Sequence, residues 1–383
     1  MKSKKIVMIP GPTPVVRSIQ DQMGIETISF KDEDFVNDFK EVVLDLKKMW
    51  DTDGEAFIVA GSGTLAMEMA IANITKSGDE VLIISHGYFG DRFIELCERK
   101  KLNIDLLQSE WGKIVELEKI EKKLTENSYK AVIVTHVDTS TGVCAPIEEI
   151  GSLLNEYEDT LFVVDGVCAT AAEPEYLNKM NIDVLLTASQ KAFGVPTGLA
   201  IVLASSKAMQ RREELKSIPE YYADFMKWLP IMHNPSKYFG TPSVRLVLAF
   251  KQSINIIKEE GLEERYRRHR RDARAIQYAL EKLGFEILAE PTYRAVTLSN
   301  VIYPKGIKDE KFRKVLADEG IIVAGGLGEY AGKLFRLGHM GNIDDHTISS
   351  TLSAIERTLL KFNNKVEPGT AMNAFFNKRG SIK

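Results

Sequence analysis

Six short apolar runs in the first two-thirds of the chain constrain its fold more than any other feature. Segments with helical periodicity separate most of them, whereas the sixth run follows the fifth after only a short turn. The runs are AFIVA (56–60), EVLIIS (80–85), KAVIVT (130–135), LFVVD (161–165), DVLLTA (183–188) and GLAIVLAS (198–205). Buried strands that alternate with helices predict an α/β protein with a mostly parallel sheet covered on both faces. The short turn allows the sixth strand to run antiparallel to its neighbour.

The pattern changes beyond about residue 250. A long helical stretch is predicted over 245–283, then short strands, a helix at 309–319, and a last helix near 344–362. This order predicts a smaller α/β domain at the C-terminal end. The tail from residue 363 onward is polar and contains Gly, Pro and Asn, so we expect it to be loosely ordered or to pack on a partner.

Composition excludes several classes of function. A net charge of −4 gives no electrostatic case for binding nucleic acid or an anionic membrane, and we interpret the basic string RYRRHRRDAR as a solvated helix face. The histidines lack HxH or HExxH spacing, which predicts no metal. The cysteines lack CxxC spacing and predict reduced thiols. With no apolar run long enough for a bilayer, we expect a cytoplasmic protein.

Two polar side chains follow neighbouring predicted strands. Asp165 ends the string LFVVD, and Lys191 comes shortly after DVLLTA. Ligands of open α/β sheets bind at the carboxyl ends of strands, so we expect this amine and this carboxylate to lie in one site. The pair suits pyridoxal phosphate, because Lys191 can form a Schiff base with its aldehyde and Asp165 can keep its pyridine nitrogen protonated. Either residue alone is more often a surface charge or a cap.

Four other strings carry residues that suit such a ligand. The turn with Ser62, Gly63 and Thr64 lies between a strand and a helix, where free N–H groups bind phosphate. Phe89 in SHGYFGDR can stack on a ring, and Ser140 or its neighbours in HVDTSTG can bond a ring oxygen. Arg336 in FRLGHMG can pair with a substrate carboxylate. Each string has an ordinary structural reading as well: a helix start, a hydrophobic contact, a polar loop or a salt bridge.

Taken in order, these strings resemble those of a known family. The collinear set is GPTPV, GSGTLAMEMA, HGYFGDR, HVDTSTGV, VVDGV, SQKA, YFGTPS and GGLG followed by FRLGHMG. It resembles the class V aminotransferases from about residue 6 to 360. The most similar branch contains the alanine–glyoxylate, serine–pyruvate and serine–glyoxylate aminotransferases.

The resemblance implies the fold type I of pyridoxal phosphate-dependent transferases and a homodimer with shared active sites. It implies an N-terminal segment lining the site (1–20), a large cofactor-binding domain with a mixed seven-stranded sheet (21–255), a small C-terminal domain (256–362) and a polar tail (363–383). The residues that it implies are catalytic Lys191 and Asp165, ring contacts Phe89, Val167 and Ser140, phosphate contacts Ser62, Gly63, Thr64 and Gln190, Tyr238 and Thr241 reaching the neighbouring subunit's phosphate, and Arg336 on the substrate carboxylate.

The chain departs from the family pattern at three places. Phe89 replaces the Trp or Tyr of well-known members, and Thr64 stands where some members have His. The string ISFKDED has no His-Arg pair where many members read SHR and an acidic residue. The first two changes are compatible with cofactor binding, whereas the third bears on substrate choice.

The implied reaction is ping-pong transamination between L-alanine or L-serine and glyoxylate or pyruvate. A 2-aminoethylphosphonate–pyruvate or phosphoserine aminotransferase is the main alternative, and Lys237 or Arg245 is a candidate for the extra anion site it needs. A cysteine desulfurase is less favoured, because no cysteine follows Cys168 and Gln190 precedes the lysine. A binding protein without turnover is disfavoured, because Lys191, Asp165 and Arg336 are all present.

Overall fold

A computed structural model describes residues 5–362 and 366–382 of the chain. Up to residue 165 its helices and strands are β1 (Ile6–Val7), α1 (Arg17–Met23), α2 (Glu33–Met49), β2 (Glu55–Ala60), α3 (Gly63–Ile74), β3 (Glu80–Ser85), α4 (Tyr88–Arg99), β4 (Asn103–Gln108), α5 (Leu117–Glu126), β5 (Ala131–Thr135), β6 (Val137–Asp138), β7 (Val143–Cys144), α6 (Ile147–Leu154) and β8 (Leu161–Asp165).

The later elements complete the large sheet and form the second, smaller one. They are β9 (Val184–Ala188), β10 (Leu199–Ala204), α7 (Ser206–Glu214), α8 (Phe225–His233), α9 (Val244–Glu260), α10 (Leu262–Lys282), β11 (Glu286–Ile287), β12 (Leu298–Ile302), α11 (Asp309–Asp318), β13 (Ile321–Ile322), β14 (Ala324–Gly325), β15 (Leu334–Gly338), α12 (Asp345–Leu360) and α13 (Thr370–Ser381). None of the helices within the described ranges is both long enough and apolar enough to cross a membrane.

The large sheet has seven strands in the order β2-β10-β9-β8-β5-β3-β4. Strand β10 is antiparallel to both of its neighbours, and the other strands are parallel to one another. The predicted mixed seven-stranded sheet and the antiparallel sixth run are therefore confirmed. Every residue of β5, β8, β9 and β10 is buried, which matches strands that are covered by helices on both faces.

Three neighbouring strands of this sheet end at the same edge. The last residues of β5 and β8, Thr135 and Asp165, are paired in register. Strand β9 follows β8 in the sheet and ends at Ala188, three residues before Lys191. Because β5, β8 and β9 are parallel, their carboxyl ends deliver these side chains to one place.

The smaller sheet has the order β11-β12-β15-β14 and a hydrophobic core of its own. Three aromatic rings meet there, with centroid distances of 5.8 Å between Phe285 and Phe312, 5.6 Å between Phe285 and Phe335, and 5.5 Å between Phe312 and Phe335. Strand β1 pairs in parallel with β13, so the start of the chain joins this part. The exact boundaries of the two predicted domains, 21–255 and 256–362, stay predictions.

The helical stretch predicted over 245–283 is confirmed, but it consists of two helices. It divides into α9 and α10 at Gly261, whose φ of +82° lies in the left-handed region that glycine tolerates best. The tail, which we expected to be loosely ordered or to pack on a partner, is mostly ordered within this chain, because α13 packs on α10 and buries Phe375. Glu356 accepts hydrogen bonds from the N–H groups of Gly369 (2.6 Å) and Ala371 (2.7 Å) at the start of α13. Residues 363–365 and 383 of the predicted tail lie outside the described residues.

Candidate active site

A cavity lies at the carboxyl edge of the large sheet, where β5, β8 and β9 end. Its wall combines an amine, a carboxylate, a guanidinium, hydroxyl groups and apolar side chains. The lining residues are Ser62, Gly63, Thr64, Met67, Phe89, Arg92, Thr135, Val137, Thr139, Asp165, Val167, Cys168, Gln190 and Lys191. Eight of the predicted site residues are in this set, although they come from four separate strings of the sequence.

Asp165 places a buried carboxyl group in the cavity wall. Its Oδ1 accepts a hydrogen bond from the N–H of Val167 (2.9 Å), and its Oδ2 has no hydrogen-bond partner in the described part of the chain. Burial raises the pKa of Asp165 to about 7, and the nearby carboxylates of Asp138 and Glu175 add to this effect. A cation bound at Oδ2 would therefore find an acceptor that the protein leaves free.

Lys191 lies under the N-terminal segment of the chain. Its Nζ donates a hydrogen bond to the carbonyl oxygen of Pro10 (2.6 Å), and the hydroxyl of Thr13 donates to the carbonyl oxygen of Lys191 (2.7 Å). A Cβ at Gly11 would lie 2.6–2.8 Å from the Lys191 side chain, and φ at Gly11 is +128°. Glycine is thus required for this close approach. Residues 1–4 of the predicted lining segment lie outside the described residues.

The start of helix α3 offers a place for an anion. Ser62 is the N-cap residue, yet its side chain makes no capping hydrogen bond, so the first N–H groups of this 12-residue helix lack a side-chain partner there. The N-terminus of a helix carries a partial positive charge and free donors that bind phosphate. Gln190, also in the wall, has a buried Oε1 without a hydrogen-bond partner among the described residues.

Phe89 and Val167 supply apolar surface to the cavity. Asp138 fixes Phe89 by accepting its N–H (2.8 Å) and the N–H of Gly90 (3.1 Å), at the start of α4. The guanidinium of Arg92 lies 4.9 Å from the centre of the Phe89 ring. Val167 packs so close to Gly63 that a Cβ there would lie 3.0 Å from it.

The structure places Ser140 outside the cavity wall. Ser140 is fully buried and does not belong to the cavity wall. Its hydroxyl donates to Oδ1 of Asp138 (2.6 Å) and accepts the N–H of Tyr88 (2.9 Å). Both hydrogen bonds hold the Ser140 hydroxyl inside the protein, between Asp138 and the start of α4. The preceding residue, Thr139, lines the cavity instead.

Three other predicted residues lie outside the lining set. Tyr238 and Thr241 are exposed, and 67% of Tyr238 is accessible. Arg336 is half-buried on β15, and its Nε donates to the carbonyl oxygen of Gly325 (2.8 Å). Burial lowers the pKa of Arg336, whereas the nearby Cys168 and Asp138 oppose that shift. Its guanidinium makes no ion pair within residues 5–362 and 366–382.

Several residues of the wall were not predicted from the sequence. Most lie beside a residue that was chosen: Thr139 precedes Ser140, Cys168 follows Val167, and Arg92 ends the string that contains Phe89. The remaining ones are Met67, Thr135 and Val137. Thr135 had a usable signal, because it ends a predicted strand as Asp165 does.

Comparison with known proteins now identifies the family. The family model described as "Aminotransferase class-V" matches residues 25–334, which is most of the chain. The chain belongs to the class V aminotransferases. An uncharacterised aminotransferase of Methanocaldococcus jannaschii is 37% identical to it over 366 residues, which cover 95% of each protein. For the present chain, the predicted α/β fold class and the predicted aminotransferase class are therefore confirmed.

Two further similarities come from proteins with named activities. Alanine–glyoxylate aminotransferase 1 of Saccharomyces cerevisiae is 31% identical over 358 residues, covering 89% of this aminotransferase and 93% of the yeast enzyme. The crystal structure of ureidoglycine–glyoxylate aminotransferase from Bacillus subtilis superposes with a TM-score of 0.93 and 26% identity. That similarity covers 100% of this chain and 99% of the other.

The cofactor of this aminotransferase is pyridoxal phosphate, and the cavity fits it. The uncapped start of α3 matches the phosphate. The free Oδ2 of Asp165 matches a protonated ring nitrogen, and the amine of Lys191 matches an aldehyde. The unpartnered Oε1 of Gln190 is a further polar group that a ligand can satisfy.

Proposed function

We propose that this aminotransferase transfers the amino group of L-alanine or L-serine to glyoxylate or pyruvate. The observation that carries the proposal is the unpaired guanidinium of Arg336. A half-buried cation without a counter-ion is costly, and a substrate α-carboxylate would remove that cost by pairing with it through two hydrogen bonds. The names of the yeast and Bacillus subtilis proteins, which both include glyoxylate, support this 2-oxo acid as an acceptor.

The proposed residue roles follow the arrangement of the cavity. Lys191 would bond to the cofactor's aldehyde carbon, and Asp165 would pair with the ring nitrogen. Val167 and Phe89 would contact the ring, and the contact with the ring oxygen would fall to Thr139, one of the neighbours of Ser140 that the sequence suggested. The phosphate contacts are Ser62, Gly63, Thr64 and Gln190.

Each of these groups has a task in transamination. Pyridoxal phosphate, when bound, supplies an aldehyde that takes up the donor's amino group and a ring that withdraws electrons from the Cα–H bond. Arg336 holds the donor's carboxylate and so fixes the direction of this bond. The Nζ of Lys191 takes the proton from Cα and delivers it to the former aldehyde carbon. Asp165 keeps the proton on the ring nitrogen, because its negative charge favours the cationic form.

We also propose a homodimer in which Tyr238 and Thr241 complete the neighbouring subunit's phosphate site. Neither residue lines the cavity of its own subunit, and both are exposed. Tyr221 and Tyr222 are exposed as well, so these residues offer aromatic surface typical of protein interfaces. Sedimentation of a 42.9 kDa species, the mass of one chain, would contradict this proposal.

A second candidate is an amino donor with a phosphonate or phosphate group. Arg92 lines the cavity without an acidic partner in the described ranges, so it offers a cation for such a group. The two cations considered from the sequence are less suitable. Lys237 is exposed and outside the cavity wall, and Arg245 donates to the carbonyl oxygen of Met23 (3.2 Å) and the hydroxyl of Thr27 (3.1 Å).

A panel of amino donors separates these candidates. L-alanine, L-serine, phosphoserine and 2-aminoethylphosphonate are each supplied with glyoxylate and then with pyruvate, and the new amino acid is quantified. We expect L-alanine or L-serine to give the highest kcat/KM. Turnover restricted to 2-aminoethylphosphonate or phosphoserine would contradict the proposal and support the second candidate.

Substitution R336M tests the carboxylate contact. Because methionine cannot pair with the carboxylate, we expect kcat/KM for L-alanine and L-serine to fall about 10²-fold, chiefly through KM. Substitution R336K retains the charge without the bidentate fork, and we expect its kcat/KM to lie between those of the wild type and R336M. The matched control is R313M, because Arg313 pairs with Asp309 (2.6 Å) on α11, away from the cavity wall. Unchanged kinetics in R336M would contradict the assignment.

A further inference from the structure

The hydroxyl of Thr135 is a buried polar group without a partner. Thr135 ends β5 in the wall of the cavity, and only 2% of it is exposed. Its Oγ1 makes no hydrogen bond with any described residue. Buried hydroxyl groups are nearly always hydrogen-bonded, because leaving one unpaired costs folding free energy. An unpaired hydroxyl in a ligand cavity indicates that its partner arrives, or becomes available, when the ligand binds.

The strand register places a suitable acceptor beside this hydroxyl. Thr135 and Asp165 are paired in the parallel strands β5 and β8. Paired residues of neighbouring strands project to the same face of the sheet about 4.8 Å apart. Thr135 thus has a donor without an acceptor, and Asp165 has in Oδ2 an acceptor without a donor. Both side chains line the same cavity.

We propose that Thr135 is a positioning residue for Asp165. When the cofactor's ring nitrogen pairs with Asp165, the Thr135 hydroxyl donates a hydrogen bond to Oδ2 and holds the carboxylate in its ionised form and in one orientation. A carboxylate oxygen has lone pairs for both donors. A hydrogen bond to the charged form of an acid stabilises that form, so Thr135 helps Asp165 to retain the proton on the ring. The inference rests on the proposed role of Asp165.

The first test measures thermal unfolding of the cofactor-free protein. Substitution T135V keeps the side chain's shape and removes only the unpaired hydroxyl, so we expect an unfolding midpoint equal to or above that of the wild type. The matched control is T160V. The Thr160 hydroxyl, also buried, donates to the carbonyl oxygen of Tyr129 (2.8 Å), and its loss is expected to lower the midpoint. A midpoint lowered in T135V as in T160V would show that the hydroxyl already has a structural partner, which overturns the proposal.

The second test measures the loaded enzyme. Because the hydrogen bond goes to a charged group, we expect T135V to lower kcat about tenfold, with KM for the amino donor changed less than about twofold. T135S, which retains a hydroxyl, is expected to restore most of kcat. In the D165N background, T135V is expected to change kcat less than about twofold, because the coupling partner is gone. A full additional loss in that background, or no loss in T135V alone, would overturn the inference.

These outcomes separate the inference from the function on which it rests. Absence of turnover in the wild type with every donor of the panel would contradict the proposed function. Normal wild-type turnover and an impaired D165N, combined with an unimpaired T135V, would contradict only the role of Thr135.

Discussion

Substitution K191A is expected to lower kcat at least about 10³-fold, because it removes the amine that we propose both as the covalent anchor of the cofactor and as the base that moves the Cα proton. The absorption of the lysine-bound cofactor should disappear. The cofactor itself should remain bound through the phosphate site at α3 and through Asp165. Absorption spectra and single-turnover kinetics of the purified variant measure both effects.

The control for this experiment is K191R, which retains a positive charge beside Pro10 but lacks the primary amine. We expect K191R to be as inactive as K191A, because the amine and not the charge is needed. Retention of more than about a tenth of wild-type kcat in K191A would contradict the assignment, since a group lost from both acid–base and covalent steps costs far more than tenfold.

Substitution D165N is expected to have the second largest effect, a loss in kcat of about 10²-fold or more. An uncharged amide cannot favour the protonated ring nitrogen, so charge that develops at the reacting carbon is less well stabilised. The KM of the amino donor should change little, because we propose Arg336 and not Asp165 as the contact of the carboxylate. A D165N variant with wild-type kcat would contradict this role.

In the cofactor-free protein, the effect of D165N on stability is expected to depend on pH. Burial raises the pKa of Asp165 from 3.8 to about 7, so the folded state retains a proton that the unfolded state loses as pH rises through this interval. Ionisation therefore destabilises the wild type as pH rises from 3.8 to about 7, whereas D165N has no such proton. The unfolding midpoint of D165N relative to the wild type should rise across that interval and then level off. A constant difference would contradict the raised pKa.

The sequence predicts the centre of the site because the ends of buried strands can be recognised from apolar runs that stop at polar residues. Asp165 and Lys191 follow apolar runs, and parallel strands bring their carboxyl ends to one edge. The start of α3 was predictable in the same way from the turn at Ser62 and Gly63. For these residues the local sequence pattern agrees with the tertiary position, so their place at the edge of the sheet was predictable from the sequence.

The choice between two neighbouring hydroxyl residues was not predictable from the pattern. Ser140 and Thr139 have similar chemistry, and the outcome depends on Asp138. This carboxylate accepts both the N–H and the hydroxyl of Ser140 (2.8 and 2.6 Å) and also binds the start of α4. A contact between segments about 50 residues apart thus decides which residue faces the cavity.

The break at Gly261 and the ordered tail were not predictable from the local pattern. The helical pattern of side chains continues across Gly261, but the backbone turns there with a positive φ. The tail has little apolar periodicity, yet contacts with other elements stabilise α13. Phe375 of α13 is buried, Glu356 accepts a hydrogen bond at the start of α13, and Arg379 of α13 pairs with Asp272 (2.8 Å) on α10. Tertiary contacts override a weak local signal here.

The proposed transamination can be tested in a half-reaction with a single amino acid and no acceptor. Purified enzyme loaded with pyridoxal phosphate is mixed with L-alanine or with L-serine, and the absorption of the lysine-bound cofactor is followed while the 2-oxo acid is quantified. We expect the absorption to be lost, one 2-oxo acid to form per active site, and glyoxylate or pyruvate to restore the absorption. An unchanged spectrum with both donors and no 2-oxo acid formed would contradict the proposed transamination.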